Sequence, residues 1–173
     1  MGGIEGVLGA LGKSVPVWAH GEDKPYIEGE REPIKMTRER VTQMLARAHE
    51  AMRPQVEALL LHPATAKVTQ TLADGDVLPF FGGVDVIFTP GHTPGHISLY
   101  HRRSKTLITG DASVSKEGRL LGPSPRATPD MEMALRSYDK FAAYDVQIAI
   151  CYHGGLCSDA VNEQLRAMAT RPV

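Results

Sequence analysis

The chain is 173 residues long, 42% apolar and 23% charged, with a formal net charge of −1. That length and balance fit one folded, soluble domain and exclude a disordered chain. They also exclude a dominant nucleic-acid or anionic-membrane partner, since both need a basic surface.

No apolar run is long enough to span a bilayer, and the start Met1-Gly-Gly-Ile-Glu5 has neither a basic region nor a secretory pattern. Two cysteines, Cys151 and Cys157, make no disulfide framework. A cytoplasmic protein without membrane or nucleic-acid partners is therefore expected.

Ile4, Val7, Leu8 and Leu11 fit one face of a short helix over residues 3 to 12. Gly3, Gly6, Gly9 and Gly12 weaken it, each by about 1 kcal/mol against Ala if internal. Val15 to His20 reads as a strand and Gly21 to Pro33 as a polar loop. Thr37 is the N-cap of a helix, with Arg40 where a capping box would have Glu. Val41, Met44, Leu45, Ala48 and Met52 continue it at helical spacing, Pro54 interrupts it, and a further helical stretch carries Val56, Leu59 and Leu60. Met36, Met44 and Met52 recur every eight residues, close to the helical period. Core packing is the reading preferred over a methionine-rich lid.

From Lys67 the period moves towards two. Val68 to Leu72 is a strand and Ala73-Asp-Gly-Asp76 a turn. Val84 to Phe88 is a buried strand, His96 to His101 alternates, Arg102 to Ser104 turns, and Lys105 to Thr109 returns. Gly118 to Pro129, rich in Gly and Pro, reads as a surface loop. Asp130 opens a helix, Val146 to Cys151 is a buried strand, and Ser158 or Asp159 caps a last helix running to about Ala169. Helix and strand alternate, so the class is α/β or α+β.

Chemistry concentrates in Phe88-Thr-Pro-Gly-His92-Thr-Pro-Gly-His96. Pro94 and Gly95 disfavour a helix there, so the two histidines lie in a stiff loop rather than on one helical face. An imidazole aimed from such a loop suits metal ligation. Asp111, after Lys105 to Thr109, and His153, after Val146 to Cys151, also follow strands. Strand ends converge at one sheet edge, and two imidazoles with a carboxylate suit zinc or another first-row divalent metal. Three ordinary turn residues are the competing reading. His96 starts a strand and reads as supporting or structural rather than ligating. His20, His49, His62 and His101 read as surface or satisfied histidines. Cys151 reads as a buried thiol rather than a ligand beside His153. Arg126 reads as a solvated loop arginine rather than a substrate contact.

Phe88-Thr-Pro-Gly-His-Thr-Pro-Gly-His96, Ile108-Thr-Gly-Asp-Ala112 and Cys151-Tyr-His-Gly-Gly155 resemble, in order and spacing, the later metal motifs of metallo-β-lactamase-fold hydrolases. The resemblance covers nearly the whole chain and looks nearest to the glyoxalase II-like and lactonase-like subgroup. It implies an αββα sandwich in which His92 ligates one metal, Asp111 bridges two, and His153 ligates the second. The family's earlier motif, His-x-His-x-Asp-His, is not in this chain: no two of its histidines are separated by one residue. Gly2-Gly3-Ile4 looks like the residues just after that motif. The expectation is thus a single domain over residues 1–173, N-terminally incomplete, lacking the first strands and the first metal motif.

Each metal then keeps one histidine and the shared Asp111, so zinc, or another divalent metal, is expected at reduced occupancy. A single metal shared by His92, Asp111 and His153 is the less favoured arrangement. The resemblance implies a metal-dependent hydrolase acting on a small-molecule ester, thioester, lactone or amide through a metal-bound hydroxide, impaired in this form. Asp111 is the catalytic candidate, and His92, Asp111 and His153 are the metal candidates. A catalytically silent fold remnant that binds a partner is the alternative, and an iron redox variant a weaker third. Missing strands would leave an open sheet edge, so a homo-oligomer is expected.

Overall fold

The computed structural model describes residues 4–11, 15–61 and 65–169. His62, Gly3 and Gly12 lie outside them. The chain divides into two compact units, residues 1–71 and 72–173.

In the first unit, α1 (Ile4–Leu11) forms where the apolar spacing places it, and β1 (Trp18–His20) pairs with β2 (Gln70–Leu72) in a two-stranded sheet. The segment expected to be all loop contains one short helix, α2 (Lys24–Ile27), with Pro25 in its first turn, where a missing N–H costs nothing. α3 (Arg38–Arg47) starts as expected: the Thr37 side chain accepts from the Arg40 N–H at 3.3 Å. It stops before Pro54. Ala48 turns extended, a 3₁₀ turn comes next over Glu50–Met52, and α4 spans Arg53–Leu61. Pro54 therefore stands in the first turn of a helix instead of interrupting one. Met44 and Met52 are exposed, so the methionine spacing does not reflect core packing.

The second unit is a seven-stranded sheet with helices. Its strands are β3 (Val77–Leu78), β4 (Val84–Phe88), β5 (Ile97–His101), β6 (Thr106–Lys116), β7 (Arg119–Gly122), β8 (Ile148–His153) and β9 (Gly155–Cys157). The order is β3-β4-β5-β6-β8-β9, with β7 on the far half of β6. All pairings are antiparallel except β6 with β8. A parallel pair needs a long crossover. Here it contains β7, α5 (Met131–Arg136) and α6 (Tyr138–Phe141); α7 (Val161–Ala169) comes after β9.

Two expectations are corrected. The strand begun at Thr106 does not end at Thr109 but runs on to Lys116, bending at irregularities between Ile108 and Gly110 and between Gly110 and Val114. The expected Gly-Pro loop begins with a strand, because Glu117 and Gly118, both at positive φ, turn β6 back into β7.

One sheet face is covered by helices. Ile87, Tyr100, Leu107, Ala149, Cys151 and Cys157 meet Tyr138, Phe141, Val161, Leu165 and Met168 in one cluster. Each fully buried large side chain contributes about 1.5–3 kcal/mol. The Tyr138 hydroxyl donates to the Ala112 carbonyl at 2.9 Å, so the crossover also holds the bent half of β6. On the other face, register aligns Val86, Leu99, Ile108, Ile150 and Leu156 across five strands. Exposure rises along this apolar row from 0% at Val86 to 37% at Ile150 and 55% at Leu156.

Both cysteines are free and buried. Burial pushes the Cys151 thiol above its ordinary range, against hydrogen bonds from Thr109, Ser113 and Ser115. The Cys157 thiol donates to the Gly118 carbonyl, away from His153. Neither thiol should react with an aromatic disulfide reagent in the native protein at pH 8, and both should in denaturant. Stoichiometric labelling of the native protein would contradict this packing.

Candidate metal centre

Three segments of the second unit deliver the candidate residues. β4 ends at Phe88, and the loop after it is closed by the Thr89 N–H donating to the His96 carbonyl at 2.9 Å. Its outer part is pinned by the crossover: the Ser137 hydroxyl donates to the Pro90 carbonyl at 3.2 Å, and the Asp130 N–H to the Gly91 carbonyl, also at 3.2 Å. Asp130 itself caps α5 by accepting from the Met133 N–H at 2.9 Å. Asp111 stands inside the bent stretch of β6, and His153 is the last residue of β8. Because β6 and β8 run parallel, with Gly110 beside Cys151 and Val114 beside His153, Asp111 comes level with the end of β8.

The structure brings the three expected residues together. His92 Nε2 lies 3.3 Å from Asp111 Oδ2, and His153 Nε2 lies 3.3 Å from Asp111 Oδ1. The carboxylate is thus the middle of a row, each oxygen facing one imidazole nitrogen. His92 is largely covered and its side chain 13% exposed, whereas that of His153 is 73% exposed, so the row runs from the protein into solvent. Among the described residues, no group of three or more His, Cys, Asp or Glu closes tightly enough to hold a metal as one cage. That disfavours one ion shared by all three.

The pairwise distances fit two separate positions better. A charge-assisted N–H···O bond is about 2.7–2.9 Å. The edge of a zinc tetrahedron, with Zn–N and Zn–O of about 2.0–2.1 Å, is about 3.3–3.4 Å. Each imidazole–carboxylate pair has the latter spacing. Each imidazole–carboxylate pair would suit a divalent cation, with two protein donors apiece among the described residues, one fewer than the three usual at a catalytic zinc.

Among the described residues, His20, His49 and His101 fall where expected. His20 Nδ1 accepts from the Glu22 N–H, and His49 Nδ1 from the Ala51 N–H. His101 is held by Ser104 and by the Phe81 carbonyl. His96 contacts the site without joining the row: its Nε2 accepts from the Asp111 N–H at 3.0 Å. Thr89 and Ser98, which support His96, escaped the sequence reading. Their signal was available: Ser98 is a hydroxyl residue within an apolar strand and Thr89 directly follows one, where burial demands a partner.

The family model described as the metallo-beta-lactamase superfamily matches residues 8–153, a span containing all three candidates. The chain belongs to the metallo-beta-lactamase superfamily. It is 28% identical over 165 residues to "Probable metallo-hydrolase YflN" of Bacillus subtilis (strain 168), covering 89% of this chain and 60% of that protein. Over 67 residues it is 42% identical to "N-acyl homoserine lactonase AiiA" of Bacillus thuringiensis subsp. kurstaki, covering 37% of this chain and 25% of that protein. The metallo-beta-lactamase family protein TTHA1429 of Thermus thermophilus shares the fold, with a TM-score of 0.60 at 24% identity, over 92% of this chain and 53% of that one. The chain therefore spans little more than half the length of these whole-length matches.

Gly154 makes the placement of His153 possible. At φ +97°, it lies so close to β6 that a Cβ would sit 1.7 Å from the Ser115 carbonyl oxygen. Gly155, at φ +83°, has open space. Gly155→Ala should cost about 1–2 kcal/mol from backbone strain alone, and Gly154→Ala roughly 2–5 kcal/mol from strain plus overlap. Urea unfolding of the two variants measures this, and equal midpoints would disprove the close approach.

Proposed function

We propose that this chain carries a partial zinc centre of a metallo-hydrolase acting on a small-molecule ester, thioester, lactone or amide, within one metallo-β-lactamase-like domain. His92, Asp111 and His153 are the proposed ligands. The supporting observation is the single carboxylate set between two imidazole nitrogens at 3.3 Å each. The similarity to a named lactonase makes lactones the first substrates to try. Another first-row divalent metal would suit the same donors. Zinc, when bound, polarises a substrate carbonyl and lowers the pKa of water.

The residues' own part is orientation. His92, fixed by the loop and the crossover, supplies the rigid wall. His153 is the exposed member of the row, open to solvent. Asp111 spans the two. With two protein donors per position, zinc should bind weakly and turnover should be slow. The buried, unbridged thiols suit a reducing compartment such as the cytoplasm.

The test is elemental analysis after dialysis against a mild chelator, with hydrolysis of a model ester and a lactone. At most one equivalent of zinc and weak hydrolysis are expected. His92→Ala, Asp111→Ala and His153→Ala should each remove any hydrolysis that remains, while His49→Ala should leave it. Two tightly held equivalents with fast turnover would overturn the partial-centre reading. The lack of any closed three-donor group among the described residues favours a second reading, a silent domain. No zinc uptake together with no hydrolysis would establish it.

The apolar row ending at Ile150 and Leu156, flanked by Tyr152 at 69% exposure, leaves apolar surface at the β9 edge. We propose that a second copy of the chain covers it. Light scattering over a dilution series should report a dimer that Leu156→Lys dissociates. A monomer at every micromolar concentration would refute this.

A further inference from the structure

We propose that His96, as a neutral imidazole protonated on Nδ1, is a positioning residue that fixes Asp111 through its peptide, using Thr89 and Ser98 as its support. This rests on the reading of Asp111 as a metal ligand.

The direction of every proton in the group can be worked out. The Asp111 N–H can only donate, so His96 Nε2 must accept and carries no proton. The ring proton is then on Nδ1, which lies 2.8 Å from Thr89 Oγ1 and 3.1 Å from the Thr89 carbonyl oxygen. The far end gives the same answer independently. Ser98 Oγ donates its one proton to the Thr109 carbonyl at 3.0 Å. In the 3.0 Å contact between Thr89 Oγ1 and Ser98 Oγ, Thr89 must therefore be the donor. With its proton committed, Thr89 can only accept from His96. Two deductions from opposite ends agree on one tautomer.

The chain of bonds nearly closes on itself. It begins at the Asp111 N–H and ends at the Thr109 carbonyl, gripping the backbone on both sides of Gly110. Gly110 is at φ +59°, and a Cβ there would lie 2.7 Å from His96 Nε2. Only glycine lets the imidazole come close enough to take the next N–H. Thr89, Ser98 and Thr109 are almost fully buried, at 0–1% exposure, so the grip is shielded from competing water. His96 also meets the His92 ring edge-on, with centroids 5.8 Å apart. One side chain thus touches two of the three candidate ligands. A support of this kind typically changes metal affinity by about 10–100-fold.

Two substitutions separate positioning from mere packing. In His96→Gln the amide oxygen reaches where Nε2 accepts from Asp111. In His96→Asn the shorter side chain reaches Thr89 but not Asp111. Three measurements on the full chain decide the matter. In metal-free protein, side-chain nitrogen NMR should report the Nδ1–H tautomer for His96; an Nε2–H tautomer overturns the proposal. The Asp111 amide should be protected from hydrogen exchange in wild type and His96→Gln and lose that protection in His96→Asn. Equal exchange in all three proteins also overturns it. Zinc affinity, read by competition with a chromophoric chelator, should fall about 10–100-fold in His96→Asn and less than about threefold in His96→Gln. Unchanged affinity in His96→Asn overturns the positioning role. Wild-type protein that takes up no zinc defeats the metal-centre reading alone, and the grip on Asp111 is then decided by the tautomer and the amide protection.

Discussion

The parallel pairing of β6 with β8 governs the second unit. It is the one parallel step in an otherwise antiparallel sheet, and it forces a crossover to leave the sheet and return. That crossover supplies Tyr138 and Phe141 to the core, and Ser137 and Asp130 to the loop that carries His92. The same pairing places Asp111, in the bent middle of β6, beside His153, the last residue of β8. Core and site therefore share one topological decision.

Residues whose local chemistry and global role coincide were legible in the sequence. Thr37 is a cap by residue type and caps, and the helix expected to open at Asp130 does so, with Asp130 itself as its cap. β4 is buried through its centre and β5 alternates, as each was read. His92, Asp111 and His153 stood out because ligand-type residues came after apolar runs, and the motif resemblance placed them together. The sequence concealed features in which a residue type serves two purposes. Gly110 looks like a strand terminator, yet β6 passes through it by bending. Gly118 looks like loop, yet it makes a tight turn between two strands. Pro54 looks like a breaker, but the break falls six residues earlier, at Ala48, and the proline stands in the next helix's first turn. Met44 and Met52 have helical spacing but are exposed, since a period locates a stripe without saying what covers it.

The site also mixes rigidity with openness along one short line. At the His92 end, imidazole and loop are tied by the crossover and covered. At the His153 end, the side chain projects into solvent from a strand terminus whose glycine is wedged against β6. Asp111 joins the two regimes. Its carboxylate faces both imidazoles, while its backbone N–H is held by His96, which buried hydroxyls support from behind. Orientation is thus imposed from the peptide side, leaving both carboxylate oxygens available to whatever lies between them and the rings.

The directional hydrogen-bond chain has a consequence for how such a sequence can diverge. Each hydroxyl in it has one proton, and each is committed. Losing Ser98 alone leaves the Thr89 proton and the Thr109 carbonyl without their buried partners; losing His96 alone strands Thr89 and the Asp111 amide. A single buried polar group left unsatisfied is costly, whereas removing all the partners together can be nearly neutral. Substitutions at 89, 96 and 98 are therefore strongly epistatic. In descent the three positions should change as a set or not at all, and single-step paths between the two states pass through a trough in fitness.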